Sequence, residues 1–391
     1  ALLLEYTPLP PAQPEIPNPA TTARDPQEIE SIEELFLNGL HLEQYRHATY
    51  TPEPYYQEGL RRDPGDSRCN NALGLLLYRR GKFAEAEQHF QTAIRRLTQR
   101  NPNPYDGEAY YNLGLSLRMQ ERYSEAFNAF HKAVWNAAWQ DAAYFELARL
   151  LTRRGNLKQA LDYLQRSLNR NQRHYQARHL QIALLRRSGE AAAARAAIQA
   201  CLALDPMNYG ALWEQSLIDG GSDFSELARY GSESRMALAF DYLHAGLWDE
   251  CLQILEQLAQ TQPLAAYTRA WALAQSGRTE EALPAYEQAA TLSPDFCFPN
   301  RIEDVLILQA ALRVNPQDGN AHYFLGNFWY GHRRYTEAIQ AWEAARTLKP
   351  DYPTVWRNLG LAYYNKRGDS KAALACFEKA FQLDPTDARV L

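Results

Sequence analysis

The stretch Ala109 to Ala138, AYYNLGLSLRMQERYSEAFNAFHKAVWNAA, constrains what this chain can fold into more than any other. It carries Leu113-Gly114, Leu117, Ala126, Phe130 and Ala133. Apolar residues at three- and four-residue spacing predict two amphipathic helices, and the small residues among them mark where the two must touch. Gly114 and Ala126 are the expected points of close approach. Phe130 fills the groove beside them, and Ala133 lets the next helix pack down. One such pair cannot bury its apolar faces, so the rest of the chain has to repeat the pattern and stack against it.

It does. The unit before it has Leu73-Gly74, Leu77, Ala86, Phe90 and Ala93. Units after it have Ala148, Leu151, Gly155, Ala160 and Leu164, then Leu185, Gly189, Ala194, Ile198 and Cys201. Regular spacing resumes with Ala239, Gly246, Cys251 and Leu255, and again with Ala270, Leu273, Ala282, Tyr286 and Ala289. Two strong units close the chain, Leu325-Gly326, Ala338, Trp342, Ala345 and Leu359-Gly360, Ala373, Phe377, Ala380. On these residues, at a period of roughly 34, the chain resembles the tetratricopeptide repeat family. The resemblance implies an all-α fold, a right-handed α-solenoid of antiparallel helix pairs with two breaks in phase.

The breaks divide the chain. Residues 1–30 are proline-rich and read as a linker from an upstream domain, 31–206 as a first block of repeats, and 207–231 as an irregular joint. A second block follows at 232–294, a second joint at 295–316, where a helix end appears without a preceding partner helix, and a third block at 317–391. The first unit is divergent, with Ser31 and Glu34 at the spacing of a capping box.

Composition narrows the function. A net charge of −5 offers no basic field for nucleic acid. No apolar run approaches the roughly 18 residues of a membrane span. The five cysteines have no ligand-like spacing and read as packed free thiols of a reducing, cytoplasmic compartment. No metalloprotease, phosphate-loop, dinucleotide or nucleophile-elbow motif is present, so no catalytic residue, cofactor or metal is assigned.

The inner faces of the first helices are expected to present Glu108, Tyr111, Asn112 and Arg118, flanked by Asn71, Tyr78 and Arg79 and by Phe145, Arg149 and Arg153. The carboxylate clamp of some family members needs Lys and Asn at set positions of these helices. Here Asn71 and Leu75 occupy them, and Glu146 falls where a basic group is wanted, so a clamp is not expected. Three segments carry more polar and aromatic groups than packing requires, and tyrosine, tryptophan and arginine dominate interface hot spots. The candidates are His41, Gln44, Tyr45 and Arg46; Asn101, Asn103, Tyr105, Asp106, Glu108, Tyr111 and Asn112 with Trp135 and Trp139; and Phe298, Asn300 and Arg301. The competing reading is that they are joints of the solenoid.

The non-repeat segments, LHLEQYRHATYTPEPYYQEGL, NPNPYDGEAYYNLG, WNAAWQ, FPNRIED and PTVWRNLGLAYYNKRGD, resemble a group of large bacterial proteins. Members of this group join an N-terminal sugar-mutarotase-like β-sandwich, through a proline-containing linker, to a C-terminal tetratricopeptide array. The resemblance implies a non-catalytic scaffold that docks its own upstream domain or a protein partner. A first alternative is a module that completes or gates a carbohydrate site on that domain, with carbohydrate in a shared groove. A helical-repeat RNA binder is disfavoured by the acidic charge. Nothing in the sequence speaks to oligomeric state.

The small positions should dominate stability. Ala126→Glu and Ala338→Glu each place a charge between packed helices and should cost several kcal/mol. Thermal unfolding followed by circular dichroism checks this, and an unmoved transition in both variants refutes the register.

Overall fold

A computed structural model describes residues 5–7, 22–45, 49–220 and 231–386. Among them are 20 α-helices and no strand. They form antiparallel pairs: α1 (Ile32–Gln44) with α2 (Glu53–Arg62), α3 (Ser67–Arg79) with α4 (Phe83–Leu97), α5 (Glu108–Met119) with α6 (Tyr123–Ala133), and α7 (Gln140–Arg153) with α8 (Leu157–Arg170). Then come α9 (Tyr175–Arg187) and α10 (Ala191–Leu204), and α11 (Tyr209–Ile218), which lies in the stretch expected to be the first irregular joint. After residues 221–230 of that joint, which lie outside the described set, follow α12 (Ser232–Ala245), α13 (Trp248–Leu258), α14 (Pro263–Gln275) and α15 (Thr279–Thr291). A single helix, α16 (Glu303–Val314), precedes the pairs α17 (Gly319–Gly331) with α18 (Tyr335–Leu348) and α19 (Pro353–Ala362) with α20 (Ser370–Leu383).

Five of the pairs, α1–α2, α3–α4, α5–α6, α17–α18 and α19–α20, are locked by a ring against a glycine. A Cβ on Gly114 would lie 2.5 Å from the Phe130 ring, and one on Gly326 would lie 2.3 Å from Trp342. No side chain fits there, so the spacing of the two helices is set by the ring alone. Ala126, Phe130, Ala133, Ala338 and Ala345 are fully buried, as the repeat register expects. Trp342 also anchors its indole, donating to Asn327 Oδ1 at 3.1 Å. All five cysteines are free thiols, and only Cys297 is not fully buried.

The expected linker is partly structured. Ile29 is buried with Leu35, Leu42 and Tyr55. Arg62 donates to the carbonyls of Ile29 (2.5 Å) and Glu30 (2.8 Å), and Tyr55 Oη donates to Arg24 O at 2.9 Å. The array therefore begins some residues earlier than the sequence pattern indicates, because these contacts are made by polar and single apolar groups without a period. Ser31 caps α1 as the spacing predicts, its hydroxyl accepting the Glu34 N–H at 3.1 Å.

The array winds until its later units meet its earlier ones. Arg334 Nη1 donates to Arg80 O at 3.0 Å, and its guanidinium lies 3.8 Å from the centre of the Trp329 ring. Gln275 Nε2 donates to Glu121 Oε1 at 3.2 Å, and Arg153 Nη1 donates to Leu243 O at 3.1 Å. The turn inside a pair usually holds a left-handed glycine, as at Gly81, Gly155, Gly189, Gly246, Gly277 and Gly368. Glu121 (φ 59°) and Arg333 (φ 62°) adopt that conformation without being glycine, which costs about 1–2 kcal/mol each. For Glu121 the side chain so placed makes one of the closing contacts. The inner face expected to be open is thus largely filled: Phe145 and Arg149 are buried, and Arg118 and Arg153 face α12 and α16.

The second phase break is the lone helix α16. Residues 292–302 run up to it without a helix, and Asp304, Val305, Ile307 and Leu308 are buried. Asp304 Oδ2 accepts the N–H groups of Asn300 and Arg301, both at 3.0 Å, which ties the incoming chain to the helix start. Burial pushes its carboxyl up to about 7, against the pull of those N–H groups and of Arg301.

Two outcomes follow from this packing. Trp342→Ala should cost on the order of 3–5 kcal/mol as a large-to-small core change, and a loss below about 1 kcal/mol in denaturant unfolding would place the ring at the surface. Asp304 is held above its ordinary value in the fold, so its contribution is present at low pH and is lost as pH rises through about 7. Asp304→Asn keeps an acceptor for both N–H groups and removes the ionisation. The variant should gain on the order of 4 kcal/mol relative to the wild type between pH 4 and 8. A pH-independent difference refutes the assignment.

Candidate functional site

The interior where the array closes is charged and dry. Glu146 accepts from Arg149 Nη1 at 2.9 Å and lies 3.4 Å from Arg118 Nη1. Arg149 Nη2 donates to Asp241 Oδ1 at 3.2 Å, which also accepts from Gln176 at 2.6 Å. Burial alone would push the Glu146 carboxyl up, but the guanidiniums of Arg118 and Arg149 overrule it and hold it down. His244 Nε2 lies 2.9 Å from Glu303 Oε1, out of hydrogen-bond line. Burial, with Arg118 beside it, drives this imidazole toward its neutral form. A protonated His244 would hold Glu303 low, but a dry site beside two arginines disfavours that cation, so we take His244 as neutral at pH 7. A second cluster joins α9, α11, α12 and α13. Glu214 accepts from Arg186 Nε (2.6 Å) and Tyr242 Oη (2.5 Å), and Glu250 accepts from Arg186 (2.8 Å) and Arg187 (2.7 Å).

The cavity beside Arg118, Arg153, His244 and Glu303 is about 40 Å³, room for a few waters and not for a substrate. Among the described residues no three His, Cys, Asp or Glu side chains converge as metal ligands. The charges are paired across helices from distant units, which is the work of holding the array closed.

An open concavity lies at the N-terminal end. A groove of about 390 Å³ runs between α1, α3 and α5, walled by Phe36, Leu40, Ala72, Leu75, Leu97 and Ala109. Asn71 bridges its floor. Its amide donates to Glu108 Oε1 at 2.9 Å, and its carbonyl accepts from Asn112 at 3.0 Å. Burial pushes the Glu108 carboxyl up, partly offset by the Asn71 amide.

The sequence candidates separate into five places. Tyr105, Asn103 and Trp135 lie close together on the surface, where the loop before α5 meets the end of α6: Asn136 donates to Tyr105 O, and Lys132 donates to Asn103 at 3.3 Å and lies 5.1 Å from the Trp135 ring centre. Tyr105 is 96% and Trp135 65% exposed, so neither is a packing group. Asp106 and Glu108 line the groove itself. Asn101, Tyr111, Asn112 and Trp139 are joints instead. Tyr111 stacks on Trp139 at 5.0 Å, Asn112 is buried, and Asn101 Oδ1 accepts the Asn103 N–H at 3.0 Å. His41 and Tyr45, with ring centres 4.6 Å apart, and Gln44 are exposed at the end of α1; Arg46 lies outside the described residues. Phe298 and Asn300 are exposed elsewhere, on the approach to α16, where Arg301 pairs with Glu233 at 2.8 Å and stacks on Phe240. Sequence reasoning did not single out the groove walls Phe36, Leu40 and Leu97. Their signal is an apolar residue on a helix face that the repeat packing leaves half-exposed.

Family models described as tetratricopeptide repeats match residues 67–134, 142–181, 232–257, 263–296, 334–366 and 353–387. The chain is 26% identical over 166 residues to a peroxisomal targeting signal receptor of Candida albicans, covering 42% of this chain and 26% of that protein. It is 34% identical over 85 residues to tetratricopeptide repeat protein 37 of Xenopus laevis, covering 20% of this chain and 5% of the other. The chain thus spans about a quarter or less of these relatives' length. Among solved structures it is similar to YrrB, a TPR protein with an unusual peptide-binding site, at 19% identity and a TM-score of 0.34 over 65% of this chain and 96% of that one. The repeat matches together span more than half of the sequence and fall on the helix pairs described above, and the chain belongs to the tetratricopeptide repeat family.

Proposed function

We propose that this chain is a non-catalytic scaffold that docks a segment of a partner protein in the groove between α1, α3 and α5. Tetratricopeptide repeat proteins act as protein-interaction scaffolds. The observation that carries the reading is that α12 and α16 fill the inner face farther along the array, while this groove stays open with apolar walls and with the exposed Tyr105 next in sequence to its lining residue Asp106. The exposed Tyr105, next in sequence to the groove residue Asp106, and Trp135 beside Asn136, which bonds the Tyr105 carbonyl, supply rigid apolar area at low entropic cost, the usual chemistry of an interface anchor. The anchoring of residues 24–30 onto α1 and α2 supports a further step: a domain upstream of the linker would be tethered at this same end, raising its effective concentration at the groove.

Short fluorescent peptides in a binding array test the reading. Leu75 is half-buried in the groove wall, and Leu75→Arg should weaken every peptide that binds by about tenfold or more, the loss of one anchor. Its melting transition should move little, as for a surface change. Peptides that bind the variant as tightly as the wild type would place docking elsewhere.

A further inference from the structure

We infer that the occupant of this groove is an extended peptide that carries a lysine or arginine between large apolar residues; the inference rests on the docking reading above. The walls call for the apolar part, since Phe36, Leu40, Leu75 and Leu97 offer no hydrogen-bonding group to a polar side chain. The charge follows from which groups are already matched. Three carboxylates, Glu43, Asp106 and Glu108, and one guanidinium, Arg68, line the groove. Arg68 is taken by Glu33, with Asp66 at 3.9 Å. Glu43 is taken by Arg79 and by the Tyr56 hydroxyl. Asp106 and Glu108 remain. Asp106 Oδ1 accepts the Glu108 N–H at 2.9 Å, and Glu108 Oε1 accepts from Asn71, but neither meets a lysine or arginine among the described residues.

A carboxylate set between apolar walls attracts a cation more strongly than one in open water, and repels an anion by the same amount. The bound cation would also relieve the burial that disfavours ionised Glu108. The stem of a lysine or arginine can lie along Leu75 and Leu97 while its head reaches the two carboxylates. Flanking apolar residues then meet Phe36 and Leu40 on one side and the exposed Tyr105 and Trp135 on the other. The polarity is the reverse of a carboxylate clamp, which grips an acidic chain end with lysine.

Three labelled peptides of one backbone, with lysine, glutamine or glutamate between leucine and phenylalanine, test this by fluorescence polarisation on the full chain. The lysine peptide should bind at least about tenfold tighter than the glutamate peptide, and its advantage should shrink as salt is raised. Glu108→Gln combined with Asp106→Asn keeps both acceptors and removes both charges. It should bring the lysine and glutamate peptides to within about threefold of each other, with the glutamine peptide and the circular-dichroism melt unchanged. Equal binding of the lysine and glutamate peptides, or a preference that survives the double variant, overturns the inference and leaves the docking reading standing. If none of the three binds, the docking reading fails and this inference with it.

Discussion

The contact on which the rest of the structure depends is a large ring seated where its partner helix has no side chain. Phe90, Phe130, Trp342 and Phe377 lie on glycines 74, 114, 326 and 360, and Tyr56 does the same on Gly39. Because the ring meets backbone, the distance and crossing of the two helices vary little from pair to pair. A constant pair geometry makes a constant step between pairs, and a constant step makes a superhelix. Replacing phenylalanine by tryptophan in the α17–α18 pair keeps the device and adds a hydrogen bond from the indole, which rotates freedom out of the contact.

How the superhelix ends up is decided by a different kind of force. In a solenoid each unit touches only its neighbours, and an inner surface of arginines and glutamates would remain wet. Here Arg118, Glu146 and Arg149 from two neighbouring units meet Asp241 from a distant one, and the four neutralise one another away from water. Such ion pairs are expensive to desolvate, so they add less to stability than to uniqueness: any other winding would strand one of the charges. The lone helix α16 supplies apolar filling, and Glu303 at its start faces His244. The interior that other arrays of this kind could offer to a ligand is here largely spent on closure, while the groove between α1, α3 and α5 stays open.

Much of this was legible in the sequence, and the legible part has one cause. The ring-and-glycine pairs recur at a fixed period, so Phe130 with Gly114 or Trp342 with Gly326 can be read without coordinates. The missing partner of α16 was legible for the same reason, as an absence of period before Leu308. The patch of Tyr105 with Trp135 was visible only as an excess of aromatics. Its separation from the joint of Tyr111 with Trp139 was not, because all four residues sit in similar company along the chain. The place of Ile29 in the core was missed, since a single apolar residue between prolines and acids has no pattern to betray it.

What the sequence determined by itself, then, is the fold class and the ring-and-glycine pairs, because these rest on contacts between residues about 15 apart inside one helix pair. What only the tertiary structure decided is which inner faces are open. Arg149 and Asp241 lie 92 residues apart, and Arg334 lies 254 residues from the Arg80 carbonyl it caps. Each small error in the step from one pair to the next accumulates around the turn, so a contact across it cannot be read from local spacing. The same residue types, arginine and glutamate on the first helix of a pair, close the interior at Arg149 and leave a carboxylate lining the open groove at Glu108. The difference lies only in whether a distant helix arrives opposite them.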